Sequence, residues 1–498
     1  MTYSLTRRGF LTASAALAGA TVLPRFTQAQ STAMSLRAAT RTLDIDGRAA
    51  TVYGLENALG GQGLILDPGQ RFVVDLRNDL DVETIVHWHG QIPPNVQDGV
   101  PGMPMPLLKP GETRSYDYQP LPGTFWMHSH VPVQEMQLLA APLIVRSAAD
   151  VAADRQDVVM MLHDFSFQPA EQVLAEITGG ASTDMAGMNH GNSGGGAMGD
   201  MAGMADGSAT GGMAGMMDMS GAMSGMTMDL NDYDFDAYLA NDRTLNDPDV
   251  IRVVSGGRVR LRIINAAAAT VFWIDTGAVQ GQLVAVDGHD IIPIAGTRFG
   301  IAMAQRLDIE LDLPAGTGAF PILALREGAV DRTGIILATA GATISPIAPK
   351  AGDAAPAFDT GLEQERMLRA AVPLANRAAS KTQMIMLAGS MQPYVWTIDG
   401  KTWGDHVPVT AVSGERVELT FHNMSMMGPP MHLHGHAFQV VAIGNQRFAG
   451  AVRDTVFVPP MAAVTIAIDA GEAARWMLHC HHMPHLATGM MTEFAVTA

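Results

Sequence analysis

The residues with the clearest capacity for chemistry lie near the end of the chain, in His479-Cys480-His481-His482-Met483-Pro484-His485, with Met490 five residues further on. Cys480 is the only cysteine among 498 residues. In an extended strand alternate side chains share a face, so His479 and His481 point one way and Cys480 the other. One short strand can therefore serve two metal positions back to back, joined covalently through Cys480. A thiolate with imidazole and a weak axial thioether is the donor set of a blue-copper electron-transfer centre. The plainer alternative is a lone cysteine with histidines nearby, and the rest of the chain decides between the two.

Three more groups share the His-x-His spacing: His87-Trp88-His89, His128-Ser129-His130 and the overlapping His432-Leu433-His434-Gly435-His436. One such pair among 16 histidines would be weak evidence. Four, falling at corresponding places in repeated segments, are strong evidence for metal. Imidazole suits copper, zinc and iron alike, and the adjoining Cys/His/Met set tips the choice to copper.

The elements that must position these side chains can be read from a repeat. The segment Gly69 to Asn78 (GQRFVVDLRN) recurs as Gly256 to Asn265 (GGRVRLRIIN) and as Gly414 to Asn423 (GERVELTFHN), at spacings of 187 and 158 residues. Each copy opens on glycine and closes on asparagine around strand-forming residues, which predicts three related β domains. The first copy is followed by Thr84–His89 and later by Phe125–His130, and the third by Pro430–Gly435 and Trp476–His481. The middle copy has apolar Thr270–Asp275 and Phe320–Leu325 in those places, so a metal site shared by the outer domains, with a spacer between them, is expected. Short strands and Gly/Pro turns make each unit an antiparallel sandwich in an all-β chain. The expected divisions are 38–148, 156–345 and 380–498, with a linker at 346–379 that begins in the Ala/Pro-rich stretch Pro346 to Pro356.

One segment, 181–228, breaks the pattern: from Met185 to Met228 twelve methionines sit among Gly, Ala, Ser and Asp. Such a composition packs no core. Soft thioethers suit Cu(I), with Met185, Met188, Met201, Met204, Met213 and Met216 as candidate ligands for a substrate ion; neutral low complexity is the other reading.

HWHG, HSH, HLHGH and HCHxxxHxxxxM, in this order, resemble the four copper motifs of the three-domain multicopper oxidases, the family of bacterial copper-efflux oxidases and laccases. The resemblance spans essentially the whole chain after its leader. It implies three cupredoxin-like Greek-key β-sandwich domains and up to four copper ions. It also implies oxidation of substrate one electron at a time, coupled to reduction of dioxygen to water. By motif, His87 and His432 would bind the type 2 copper, and His89, His128, His130, His434, His479 and His481 the type 3 pair. Cys480, His485 and Met490 match the type 1 site, while His436 matches a histidine that is usually not a ligand. The family's third-domain motif begins with a type 1 histidine three residues before His432, and here that residue is Pro429, which has no side-chain donor. His422, His482 and Met427 lie near in sequence, but none is expected to replace the missing imidazole at the geometry a blue-copper site needs. Asp98, nine residues after His89, matches an acid that delivers protons near the cluster in bacterial members; it also reads as a turn aspartate before Gly99. Where many bacterial members carry a glutamate after the second type 1 histidine this chain has Leu486, with Glu493 an unsupported substitute.

Hydrophobic content of 47% with 16% charge is that of a globular chain, and a formal charge of −18 argues against nucleic acid and anionic membranes as partners. Residues 1–29 carry Arg7-Arg8-Gly9-Phe10-Leu11, an apolar run to Leu23 and the small-residue site Thr27-Gln28-Ala29. This order resembles a twin-arginine export signal and predicts a periplasmic protein with no membrane anchor once the signal is removed. The apolar run is too short to span a bilayer comfortably. The expected partners are dioxygen and Cu(I) or another small reductant such as a phenol or Fe(II). A non-catalytic copper-binding protein is the alternative, supported chiefly by Pro429.

Overall fold

The computed structural model describes residues 33–180, 230–358 and 361–498. Residues 1–29, where an export signal is expected, and the methionines from Met185 to Met228 lie outside these. Six sheets make up the described chain, two to each of three cupredoxin sandwiches. Among the described residues no helix is long and apolar enough to cross a membrane.

The three repeated segments form Phe72–Asn78, Arg258–Asn265 and Arg416–Asn423, and each takes the same place in its sheet. Each pairs in parallel with an earlier strand: Met34–Ile45, Gln156–Phe165 and Lys381–Met391 respectively. Each pairs antiparallel with a later one: Thr113–Tyr118, Arg306–Asp312 and Ala463–Asp469. Their alternation of buried and less buried side chains turns one face into the sandwich core, as period-2 patterning requires.

The closing asparagine of each repeat has a structural reason. Asn78 Nδ2 donates to the carbonyls of Val82 and Leu108, Asn265 Nδ2 to those of Thr270 and Ile301, and Asn423 Nδ2 to those of Met427, Val458 and Pro459. Each Oδ1 accepts the backbone N–H two residues on, from Leu80, Ala267 or Ser425. A buried amide thus satisfies loop carbonyls that water cannot reach and fixes the turn that leads into the next strand. Those next strands are Val86–His89, Phe272–Asp275 and Pro430–Leu433, two of which carry histidine pairs.

In the outer sandwiches the histidine strands are antiparallel neighbours. His87 lies opposite His128 on Gly123–Ser129, and His432 lies opposite His479 on Arg475–Cys480. In the middle sandwich the corresponding pairing brings Trp273 opposite Leu325. Both His-x-His strands of this second set run into short helices with proline in the first turn, Pro132–Met136 and Met483–Ala487. The segment after the middle sandwich lies along it rather than free, with Lys350 and Ala355 bridged to Asp331 and Glu327.

Candidate metal centre

All eight histidines of the paired motifs that resemble cluster ligands are buried, and they converge between the outer sandwiches. His89, His128 and His481 form one group and His130, His434 and His479 another, with ligand atoms all within 4.8 Å of one another. His87 and His432 approach in a third group that also includes His89. Strand alternation produces this division: in His479-Cys480-His481 the two imidazoles leave the same face but reach different groups.

Second hydrogen bonds set the orientation of the rings. The Nδ1 proton of His87 is donated to the carbonyl of Asp98 (2.8 Å), that of His432 to the carbonyl of Asp454 (2.9 Å), and that of His479 to the carbonyl of Cys480 (2.9 Å). His434 Nδ1 donates to Asp98 Oδ2 at 2.8 Å, and His89 uses its Nε2 instead, toward Asp454 Oδ1 at 3.1 Å. With one nitrogen committed, the other presents a lone pair inward. His434 Nε2 and His479 Nε2 then face each other at 3.1 Å. Two lone pairs so close repel unless a cation lies between them. The inward nitrogens of His87, His432, His130 and His481 have no protein partner. Buried polar atoms without partners are costly, and convergent ones are what a metal centre requires. Burial, reinforced by neighbouring imidazoles, pushes His89, His128, His130, His434, His479 and His481 well below the ordinary histidine range, so they are neutral at pH 7 and free to act as ligands. The donor set fits copper.

Asp98 is buried at the end of the short 3-10 turn Asn95–Gln97. The following Gly99 has φ +84°, and a Cβ there would lie 1.9 Å from the Val86 carbonyl, so only glycine lets the loop fold against the histidine strand. The turn reading and the proximity to the histidines are therefore both true of Asp98. Its Oδ1 has no hydrogen-bond partner and lies 3.4 Å from His87 Nδ1.

Three important neighbours escape sequence reasoning. Asp454 touches His89 and His432 and is ion-paired to Arg306, whose Nη1 is 2.8 Å from Asp454 Oδ1. Burial alone would raise the Asp454 carboxyl, but the Arg306 guanidinium holds it well below the usual carboxylate range. Arg306 belongs to the middle sandwich and also donates to the Thr124 carbonyl of the first, so the middle unit does more than separate its neighbours. Glu135, on the short helix after His130, sets Oε2 2.6 Å from His128 Nδ1 and Oε1 3.7 Å from His481 Nδ1. Burial, then the charge of Asp164, pushes its carboxyl well above the usual range. The only sequence clue to Glu135 was an acid in an apolar turn beside a histidine pair; nothing marked Asp454 or Arg306.

On the opposite face Cys480 Sγ lies 3.6 Å from His485 Nδ1, accepts the N–H of His482 at 3.3 Å, and its own N–H donates to the Met490 carbonyl at 3.0 Å. Cys480, His485 and Met490 are all buried. Burial pushes the thiol up. Pro429 offers this region only its carbonyl, which accepts the N–H of Val458. Among the described residues no third histidine or carboxylate atom joins Cys480 and His485 within 4.8 Å of both. The residues present thus do not supply the two imidazoles of a blue-copper centre. His436 spends both ring nitrogens on the His434 carbonyl and the Gly471 N–H, as a non-ligand would. Glu493 is held by Arg475 and His406.

Family models described as multicopper oxidase match residues 37–150, 212–341 and 376–498. Multicopper oxidase MmcO of Mycobacterium tuberculosis is 28% identical over 456 residues, covering 91% of this chain and 84% of that protein. Copper resistance protein A of Escherichia coli is 24% identical, with 95% and 94% covered. Among solved structures, Fet3p, titled a multicopper oxidase that functions in iron import, superposes with TM-score 0.72 at 15% identity, covering 93% of this chain and 90% of its own. A multi-copper oxidase from Pseudomonas thermotolerans gives TM-score 0.65 at 20% identity, with 93% and 98% covered.

Proposed function

The chain belongs to the multicopper oxidase family, and from that premise we propose an exported oxidase that takes single electrons from a reductant, Cu(I) before phenols or Fe(II), and delivers four to dioxygen to form water. We assign His87 and His432 to the type 2 copper. His89, His128 and His481 go to one type 3 copper, and His130, His434 and His479 to the other. The observation that carries this reading is the convergence of eight buried imidazoles, six of them with a second nitrogen already bonded. When bound, the copper ions supply the redox capacity for reducing dioxygen.

The protein's own residues then have defined work. Asp454, charged through Arg306, holds the rings of His89 and His432 and balances cationic charge in a dry site. Asp98 ties together His87 and His434, from different sandwiches, and its free Oδ1 suits it to carry protons toward the dioxygen site. Glu135 holds the ring of His128 and sits close to that of His481.

Copper as substrate is supported by the methionines of segment 181–228, Met185, Met188, Met201, Met204, Met213 and Met216 in particular, and by the relative named copper resistance protein A. Export to the periplasm rests on the Arg7-Arg8 leader. Cys480, His485 and Met490 are assigned to an atypical type 1 position. Oxygen uptake by copper-loaded protein, with Cu(I) and with a phenol, is the test: uptake above the apoprotein supports the oxidase, and none with either substrate overturns it.

Pro429 favours a second reading, a non-catalytic copper-binding protein that retains the cluster without an efficient route for electrons into it. A strong absorption near ~600 nm, the thiolate-to-Cu(II) transition of blue-copper sites, would exclude this reading.

A further inference from the structure

His482 immediately follows His481, the last of the eight cluster histidines, yet the function proposed above leaves it unused. It is buried, its ring centroid is 4.0 Å from that of His485, and its Nε2 is 3.5 Å from Asp232 Oδ2. His485 Nε2 is 4.0 Å from the same oxygen. Asp232, His482 and His485 thus offer three ligand atoms within 4.8 Å of one another. The Asp232 side chain has no solvent exposure, and His485 Nε2 and Asp232 Oδ1 have no hydrogen-bond partner.

The three side chains are held from behind. Trp396 stacks on the far face of His485, centroids 3.5 Å apart and planes 16° from parallel. Tyr394 donates its hydroxyl to Asp232 Oδ2, and the His482 backbone N–H is fixed on Cys480 Sγ. Such supports orient ligands rather than fill space. His482 also lines a small cavity of about 20 Å³ with Leu230, Met427 and Gly428, room for roughly one water-sized species.

His485 decides what this group means. A neutral imidazole has one lone pair, so it can serve a metal beside Cys480 through Nδ1 or a metal beside Asp232 through Nε2, not both at once. The Cys480 side adds a sulfur and the weak Met490 thioether, and Pro429 adds nothing. The Asp232 side adds a carboxylate and a second imidazole, giving three firm donors of the kind that suits borderline divalent cations. We propose that Asp232, His482 and the outer nitrogen of His485 form a binding site for a borderline divalent cation, Cu(II) in particular, displaced from the thiolate position. The site does not depend on the oxidase reading, since it would fill in a protein that consumes no oxygen.

Cobalt(II) separates the alternatives, because a thiolate ligand gives a near-ultraviolet charge-transfer band that nitrogen and oxygen ligands do not. Full-length apoprotein saturated with Co(II) is compared with Asp232→Asn, His482→Gln and Cys480→Ser by metal content and absorption, with circular dichroism confirming the β fold. The expected result is loss of one equivalent in both Asp232→Asn and His482→Gln, no loss in Cys480→Ser, and no thiolate band in the parent. A thiolate band that vanishes in Cys480→Ser, or unchanged metal content in either Asp232→Asn or His482→Gln, overturns the proposal.

Discussion

The two faces of the strand Arg475–Cys480 with His481 are built on different principles. On one face eight imidazoles from two sandwiches converge, and carboxylates at Asp98, Asp454 and Glu135 lie against the outer nitrogens of several of them, with Arg306 of the middle sandwich behind Asp454. On the other face stand the Cys480 thiol and the His485 imidazole, with Met490 in the same buried cluster, and Pro429, three residues before His432, brings no side-chain donor. The first arrangement is over-determined, since six of its eight rings are held by a second hydrogen bond as well as by their backbone. The second depends on a single loop residue, and one change alters its donor set. Redundancy of contacts separates the faces more than ligand chemistry does.

Asp454→Ala should damage the cluster face most. It strips the charge partner from buried Arg306 and an acceptor from His89, and breaking such a pair costs about 3–5 kcal/mol. Denaturant unfolding and copper content are the measurements; unchanged stability would mean that the face is not over-determined by this network. Pro429→His sharpens the other side. It should create or strengthen absorption near ~600 nm and raise oxygen uptake by at least the roughly 100-fold that an outer partner alone can cost. A parent protein already intensely blue would erase the contrast between the faces.

Asp98→Asn keeps an acceptor for His434 but removes the charge and the exchangeable proton. Oxygen uptake should fall about tenfold, at the lower end of what such partners cost, with copper content preserved. Coincident loss of copper would make Asp98 a positioning residue instead.

The last effect concerns stability and pH rather than turnover. Glu327, beside the cavity that reaches His482, is pushed up to about 7 by burial. A carboxyl raised above its unfolded value stabilises the fold fully below pH 4.5, and that stability is lost as pH rises through about 7. The sign is opposite for Asp454, whose depressed carboxyl contributes stability at neutral pH and loses it only in strong acid. Glu327→Gln should flatten the stability profile between these values by on the order of 2 kcal/mol. An unchanged profile in unfolding experiments at pH 5 and about 8 would remove Glu327 from the account.

Much of the fold was legible because it depends on local alternation. The three Gly-to-Asn strands announced three related sheets, and their asparagines occupy equivalent loop-clamping positions. The histidine pairs were legible for the same reason, since a spacing of two in a strand places both rings on one face. Arg306 and Asp454 were not legible: they are 148 residues apart, and no local pattern says that a middle-sandwich arginine meets a third-sandwich aspartate. Asp232 was equally silent, approaching His482 and His485 only because Tyr394 and Trp396 shape that pocket.

Sequence alone determined which residues could bind metal and which strand faces they occupy, because side-chain type and a two-residue period are local properties. It also determined that position 429 brings no side-chain donor, since proline has none in any fold. Tertiary structure decided the grouping of six histidines into two trios, the carboxylates that orient them, and the placement of His482 against Asp232 rather than beside Cys480. Those outcomes rest on contacts between segments tens to hundreds of residues apart, whose meeting is set by how three sandwiches pack.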